Sequence, residues 1–198
     1  MELKPKYLLL AVLLAVAIAS QASTVSGSTV SGKVSGAGAD TVVWIDNPSG
    51  KPEVPAKPAT VDQKGLLFVP HVLAVPVGST VEFLNSDPVQ HNVFWGSISG
   101  NKKLGKNLGT WPTGQKRSFK FDNSGVVSLL CNVHPEMSAY VIVVPTSYYA
   151  TTNASGEYSI ENVPDGPHTI TVWHEGMKQE SKKQTVSGAT KADFTLSK

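Results

Sequence analysis

The sequence predicts an all-β protein built from two β-sandwich modules. Three observations support this prediction: valine and threonine are abundant, 17 glycines and 13 prolines separate short apolar runs, and no long amphipathic helical pattern occurs. β-Branched residues suit pleated strands, whereas glycine and proline favour the turns between them. A chain of 198 residues is long enough for one large or two small domains with buried cores.

Residues 1–22 predict a cleavable signal peptide. Lys4 and Lys6 precede a wholly apolar run at residues 8–19, and small residues follow in A-x-A-like order. This run is too short to span a bilayer comfortably. We therefore expect a periplasmic or secreted protein, with no integral membrane span in the mature chain.

The overall charge argues against one class of function. The chain carries 17 basic and 15 acidic residues, so its formal net charge is only +2, and aromatic residues make up 8%. Proteins that bind nucleic acids usually have a concentrated basic surplus. We therefore expect no nucleic-acid partner.

The first part of the mature chain predicts a linker followed by strands. Residues 42–45 read Val-Val-Trp-Ile, which is a strand signal, and four prolines between 47 and 58 indicate an extended connector. Residues 23–58 are therefore predicted to hold a linker and the possible first strands of one module.

The central segment, residues 59–145, predicts a module of short strands. Apolar or alternating runs occupy residues 66–68, 72–77, 81–84, 119–121, 126–130 and 140–144, and turn residues separate them. Within this module, residues 96–121 contain no acidic residue. We interpret this basic segment as a solvated loop, with the sharper alternative that it steers an acidic partner. Its basic residues are Lys102, Lys103, Lys106, Lys116, Arg117 and Lys120.

The tail, residues 146–198, predicts a second β module. Tyr158 and Ile160 alternate with polar residues, and so do Ile170 and Val172. The sequence Pro-Asp-Gly-Pro at 164–167 lies between these pairs and indicates a tight turn.

A possible metal site follows the strand at residues 126–130. Cys131, His134 and Met137 form a C-x2-H-x2-M motif, and Cys131 is the only cysteine of the chain. Thiolate and imidazole are ligands that suit copper, and a weak axial thioether completes a trigonal site of two histidines and one cysteine. Zinc is the alternative metal, but methionine is a poor zinc ligand and no second cysteine is present.

The remaining histidine of such a site must come from another strand end. His91 is the best candidate because it follows the strand at residues 81–84 and a polar turn. The other histidines are weaker candidates. We interpret His71 and His168 as structural residues, and a second metal site near His174 is a minor alternative.

The order of these motifs resembles the cupredoxins, the blue-copper proteins of the amicyanin and plastocyanin type. The matching stretches are residues 68–83, 85–93, 119–125 and 131–137. The short C-x2-H-x2-M loop is most similar to that of amicyanin. One departure is that residues 126–130 lack the aromatic side chains common before the cysteine in this family.

The cupredoxin resemblance implies a fold, a cofactor and a ligand set. It implies a Greek-key β-sandwich that holds one copper ion in a type 1 site. His91, Cys131 and His134 would be the equatorial ligands, and Met137 would be the axial ligand. The backbone N–H of Asn92 would donate a hydrogen bond to the thiolate.

The tail resembles the transthyretin-like, or carboxypeptidase regulatory-like, modules. The matching stretches are residues 152–160, 163–166 and 169–176. The tail alone is short for such a sandwich, and residues 32–45 resemble the usual start of the module. We therefore expect the cupredoxin to be inserted into a transthyretin-like sandwich.

Together these features predict an electron carrier rather than an enzyme. The leading hypothesis is an exported blue copper protein that passes single electrons between protein redox partners. One alternative is a copper-binding carrier or storage protein. Another is a β-sandwich binding module without a metal, and this hypothesis applies best to residues 146–198.

Overall fold

The structure is a computed structural model that describes residues 27–46 and 50–198. The predicted signal peptide and the beginning of the predicted linker lie outside the described residues. The first strands in chain order are β1 (Ser28–Ser35), β2 (Val42–Asp46), β3 (Ala59–Gln63), β4 (Phe68–Val69), β5 (Val72–Pro76), β6 (Thr80–Asn85), β7 (His91–Trp95), β8 (Lys106–Trp111) and β9 (Lys116–Lys120). They are followed by β10 (Gly125–Leu130), β11 (Ser138–Val144), β12 (Tyr149–Thr151), β13 (Glu157–Val163), β14 (Gly166–Trp173), β15 (Glu180–Val186), β16 (Ala189–Lys191) and β17 (Phe194–Thr195).

Strands β3 to β11 form the first sandwich. One sheet has the order β5-β11-β10-β7-β8, and the other has the order β4-β3-β6-β9. Their facing side chains alternate along each strand and form one apolar core, which includes Phe83, Trp95, Trp111 and Phe121. The all-β class predicted from the sequence is therefore confirmed.

Strands from both ends of the chain form the second sandwich. Its sheets have the orders β12-β2-β14-β15 and β13-β1-β16, with β17 also paired to β1. Ile45 of β2 lies opposite Ile170 of β14, and Val43 lies opposite Ala150 of β12. The first sandwich is thus inserted between β2 and β12, as the sequence predicted.

The two sandwiches share an apolar layer, which we call the interface layer. Strand β11 supplies it because successive side chains point to opposite faces. Val141 and Val143 point into the first core, whereas Ile142 and Val144 point towards the second sandwich. The buried members of the interface layer are Val42, Trp44, Val72, Ile142, Val144 and Trp173.

The basic segment at 96–121 differs from its interpretation as a solvated loop. It contains β8 and β9 as well as a short 3-10 helix at Lys102–Leu104. Each of these strands is the edge strand of its sheet. Lysines on exposed edges discourage pairing with other chains. In the part of the chain that the structure describes, no helix is long and apolar enough to cross a membrane.

Candidate metal centre

The loop of the C-x2-H-x2-M motif joins two neighbouring strands at one end of the first sandwich. Leu130, the last residue of β10, pairs with Ser138, the first residue of β11. The loop is therefore closed at its base, and its backbone turns where the N–H of Met137 donates to the carbonyl of His134 at 3.0 Å. Three predicted ligands are held on this one short loop.

His91 reaches the loop from the adjacent strand. Strand β7 begins at His91 and pairs with β10, where Phe94 lies opposite Leu130. One ligand atom from each of His91, Cys131 and His134 lies within 4.8 Å of the other two. The structure therefore brings together three of the four predicted site residues as a compact donor cluster.

The rings of the two histidines meet edge-on, with their centroids 4.7 Å apart. Nδ1 of His134 lies 3.0 Å from Nδ1 of His91. The other ring nitrogen of His91, Nε2, lies 2.8 Å from Oδ2 of Asp87. Since the carboxylate occupies Nε2, Nδ1 is the nitrogen of His91 that remains for a metal.

The cluster is shielded from water on most sides. His91 is fully buried and Cys131 is 3% exposed, whereas His134 is partly exposed. Met137 is fully buried and belongs to the same core cluster as Cys131. Its assignment as the axial ligand stays a prediction.

Asn92 supports the cysteine loop with two different parts of the residue. Its backbone N–H donates to Sγ of Cys131 at 3.4 Å, which is the contact that the resemblance implied. Its side-chain amide donates to Oδ1 of Asn107 and to the carbonyl of Gly109, at 2.9 and 2.7 Å. Its side-chain oxygen accepts from the N–H of Asn132 at 3.3 Å. Asn92 therefore joins the cysteine loop to β8.

Asp87 is a site residue that the sequence analysis missed. Burial of its carboxyl favours the neutral form, but hydrogen bonds from the N–H groups of Leu66 and Gly65 and from His91 hold the pKa of Asp87 below its usual range. The D-x-x-x-H spacing before the strand is the one signal that could have pointed to it.

The donor set fits copper. A thiol and two imidazole nitrogens converge in a mostly buried cluster, and this is the ligand type that suits a blue-copper centre. A structural zinc site takes four His, Cys or carboxylate ligands. The cluster found in the described ranges 27–46 and 50–198 has three such residues.

The other histidines lie away from this cluster. Nε2 of His71 is 2.6 Å from Oε2 of Glu175, and His168 contacts the carbonyl of Pro164 at 2.7 Å. Nδ1 of His174 lies 2.7 Å from the carbonyl of Glu175. Across the described residues, no second group of potential metal ligands forms near His174.

Two family models match the chain. Residues 56–144 match copper binding proteins of the plastocyanin/azurin family, and residues 113–197 match the carboxypeptidase regulatory-like domain. Both resemblances predicted from the sequence are therefore confirmed. The two matches overlap at 113–144, where the structure has strands β9 to β11 of the first sandwich.

Several solved structures are similar to part of the chain. A reduced tryptophan-to-tyrosine mutant of amicyanin is 25% identical over 52% of this chain and 98% of its own, with a TM-score of 0.42. A purple cupredoxin from Nitrosopumilus maritimus is 26% identical over 43% and 99%, with a TM-score of 0.39. The copper-containing nitrite reductase of Thermus scotoductus SA-01 is 27% identical over 48% of this chain and only 25% of its own, with a TM-score of 0.41. No curated protein sequence matches this chain.

Proposed function

We propose that the protein is an exported type 1 copper protein that carries single electrons between protein redox partners. The observation that carries this proposal is the convergence of His91, Cys131 and His134 within 4.8 Å, with the thiol already receiving the N–H of Asn92. The match to the plastocyanin/azurin family supports the choice of copper.

The ligand residues would act by keeping the same positions in both charge states of the metal. A bound copper ion supplies a one-electron couple between its cupric and cuprous states. His91 is held by Asp87, and Cys131 is held by the N–H of Asn92, so these ligands need little movement when the charge of the site changes. Their burial keeps water away from the donors and tunes the preference between the two states.

The exposed edge of His134 is where we expect electrons to enter and leave. His134 is the one member of the donor cluster that reaches the surface. Exposed apolar side chains lie beside it in the chain and near the site, including Val133 at 45% and Val89 at 42%. Apolar surface of this kind suits a brief contact with another protein.

The basic residues of segment 96–121 are an argument for a redox partner with an acidic surface. Lys116 is paired with Glu82 at 2.7 Å and Lys120 with Asp122 at 2.9 Å. Lys102, Lys103 and Lys106 are exposed. Lys106 lies opposite Trp95, at the end of β7 away from His91, so these charges would act on a partner at a distance from the site. Surface charges of one sign accelerate the encounter with a partner of the opposite sign.

The basic surface can be tested without a known partner. We expect reversal of Lys102, Lys103 and Lys106 to glutamate to slow oxidation of the copper-loaded protein by ferricyanide, which is anionic. Oxidation by a cationic cobalt complex should accelerate instead. Both effects should shrink as salt is raised, because ions screen surface charges. Unchanged rates with both reagents at low salt would remove the steering hypothesis.

The cellular location and the limits of the domains belong to the same proposal. A signal peptide at residues 1–22 would direct the protein to the periplasm or outside the cell. Residues 59–145 would form the copper domain, and residues 23–58 and 146–198 would form the remainder of the mature chain. The second sandwich would then act as a docking element.

The test is the visible absorption and EPR spectrum of the exported protein after addition of cupric ion. We expect an intense thiolate-to-copper absorption band and narrow copper hyperfine splitting. Cys131→Ser is the matched control because it replaces sulfur by oxygen with little change of shape, and it should remove both signals. A colourless protein whose ordinary cupric EPR is unchanged in Cys131→Ser would favour a binding module without a specific metal site. Copper that exchanges readily would favour a carrier or storage protein.

A further inference from the structure

A buried carboxylate lies directly behind the copper-binding candidate His91. Oδ2 of Asp87 is 2.8 Å from Nε2 of His91, and the two side chains are 8% and 0% exposed. A buried charge of this kind is costly unless it is well paired. The partners of Asp87 must therefore compensate for its burial.

Asp87 is held in place by a turn of the sheet that contains β6, whereas His91 begins a strand of the other sheet. Its carboxylate accepts from the backbone N–H groups of Gly65 and Leu66, at 2.5 and 2.9 Å, in the turn between β3 and β4. Its own N–H donates to Oδ1 of Asn85 at 3.0 Å, and its carbonyl accepts from the hydroxyl of Thr113. The carboxylate is thus fixed before any metal is bound.

A fixed carboxylate at Nε2 determines how the imidazole of His91 can act. An ionised carboxylate accepts hydrogen bonds but cannot donate them, so Nε2 must carry the hydrogen. The lone pair is then on Nδ1, which is the nitrogen that faces His134 at 3.0 Å. Metal-bound histidines often use a carboxylate in this way, and it raises the basicity of the ligand.

We propose that Asp87 is a positioning residue for His91, which fixes the tautomer and orientation of the ring and lowers the reduction potential of the site. The potential is lowered because a buried negative charge and a more basic imidazole both favour the more highly charged cupric state. This inference rests on the proposed function for the potential, but the tautomer of His91 is independent of it.

The experiment compares Asp87→Asn with Asp122→Asn in the full exported protein. Asn keeps the size of Asp87 but removes its charge and leaves a single oxygen for the Gly65, Leu66 and His91 donors. Asp122 is the matched control because it is 63% exposed and loses the same charge at the surface. We expect Asp87→Asn to raise the reduction potential of the copper-loaded protein and alter its EPR spectrum, and Asp122→Asn to change neither. An unchanged potential in a folded Asp87→Asn protein would overturn the effect on potential.

A second measurement keeps the inference testable if Asp87→Asn fails to fold. NMR of the unsubstituted protein without metal should show a slowly exchanging hydrogen on Nε2 of His91, because this nitrogen is buried and bonded to Asp87. A His91 that carries its hydrogen on Nδ1 would overturn the positioning role. If the loaded wild-type protein lacks the thiolate-to-copper band but shows the Nε2 hydrogen, the proposed function has failed and the positioning role has not.

Discussion

Met137 lies in the same buried core as Cys131, and its thioether is the predicted axial ligand. We expect Met137→Leu to cost less than about 1.5 kcal/mol of stability, because the two side chains have similar volumes. The same change should raise the reduction potential. The axial sulfur donates electron density to the cupric ion, so its loss favours the cuprous state. Potentiometric titration of the copper-loaded protein measures this effect.

Met177→Leu provides the control for Met137→Leu. Met177 is partly buried against the core of the second sandwich, and no part of that core belongs to the donor cluster. The Met177→Leu variant should therefore have the same reduction potential and absorption spectrum as the unsubstituted protein. Equal potentials in both variants and the wild-type protein would show that Met137 has no role as a ligand.

The candidate ligands could be predicted from the sequence, whereas their supporting residues could not. Cys131 and His134 are three residues apart on one loop, and local spacing is visible in a sequence. Asp87 gains its role from the N–H groups of Gly65 and Leu66, which lie more than twenty residues away. These residues meet because β3 pairs with β6, with Gln63 opposite Asn85, and a single sequence does not specify which distant strands pair.

At the scale of elements, the buried strands were easier to predict than the edge strands. Strand β11 reads as an apolar run because the first core buries one of its faces and the interface layer buries the other. Strands β8 and β9 are mostly exposed and rich in lysine, so their alternation of apolar and polar residues is weak. In this segment the sequence indicates only the alternation of Phe119 and Phe121 and otherwise favours a loop, although β8 and β9 complete both sheets.

Gly32 of β1 lies where no side chain fits. A Cβ atom on Gly32 would lie 2.2 Å from the carbonyl oxygen of Ala192, and this oxygen belongs to the backbone. The N–H of Ala192 donates to the carbonyl of Ser31, which holds the two segments together. We expect Gly32→Ala to lower the free energy of unfolding by about 1–3 kcal/mol or more, because the overlap can be relieved only by moving the backbone. Denaturant unfolding measures the loss.

Gly96→Ala is the control for Gly32→Ala. A Cβ atom on Gly96 would meet no atom within 4 Å. The variant should therefore unfold at nearly the same denaturant concentration as the unsubstituted protein. If Gly32→Ala is as stable as Gly96→Ala, the close approach of β1 to Ala192 does not constrain the fold.

At the scale of the whole molecule, polar contacts accompany the interface layer. His71, just before β5, lies 2.6 Å from Glu175, just after β14, and the rings of Tyr140 and Trp173 pack at 5.1 Å. The hydrogen bond from His71 holds the pKa of Glu175 below its usual range, while burial and the contact with Glu175 raise the pKa of Tyr140. These contacts join the two sandwiches beside the apolar layer.

The lowered pKa of Glu175 predicts a dependence of stability on pH. Its ionised form is favoured in the folded protein, so its contribution is present above the ordinary glutamate pKa of about 4.3 and is lost as the pH falls through the lower folded value. We expect Glu175→Gln to lower Tm slightly near pH 5, and the difference from the unsubstituted protein to shrink as the pH falls below the ordinary glutamate pKa. The effect should be below about 1 kcal/mol, because the pair is partly exposed.

The control for this titration is Glu161→Gln, at an exposed glutamate of β13. Glu161→Gln removes one carboxylate at an exposed position, so it reports the effect of the charge change alone. A Tm difference for Glu175→Gln that is the same at pH 3 and pH 5 would contradict the assignment of the shift to Glu175.

The insertion of one sandwich into the other has a consequence for the order in which the protein can fold. Strands β1 and β2 are synthesised before the first sandwich, but the first of their partners, β12, begins only at Tyr149, about one hundred residues after β2 ends at Asp46. The cost of closing such a long loop falls once the intervening segment has become compact, because its ends are then brought close together. Once folded, the first sandwich therefore holds the end of β2 close to the start of β12. A mutation that slows its folding would leave β1 and β2 unpaired and exposed to aggregation or proteolysis, even if that mutation lies far from either strand.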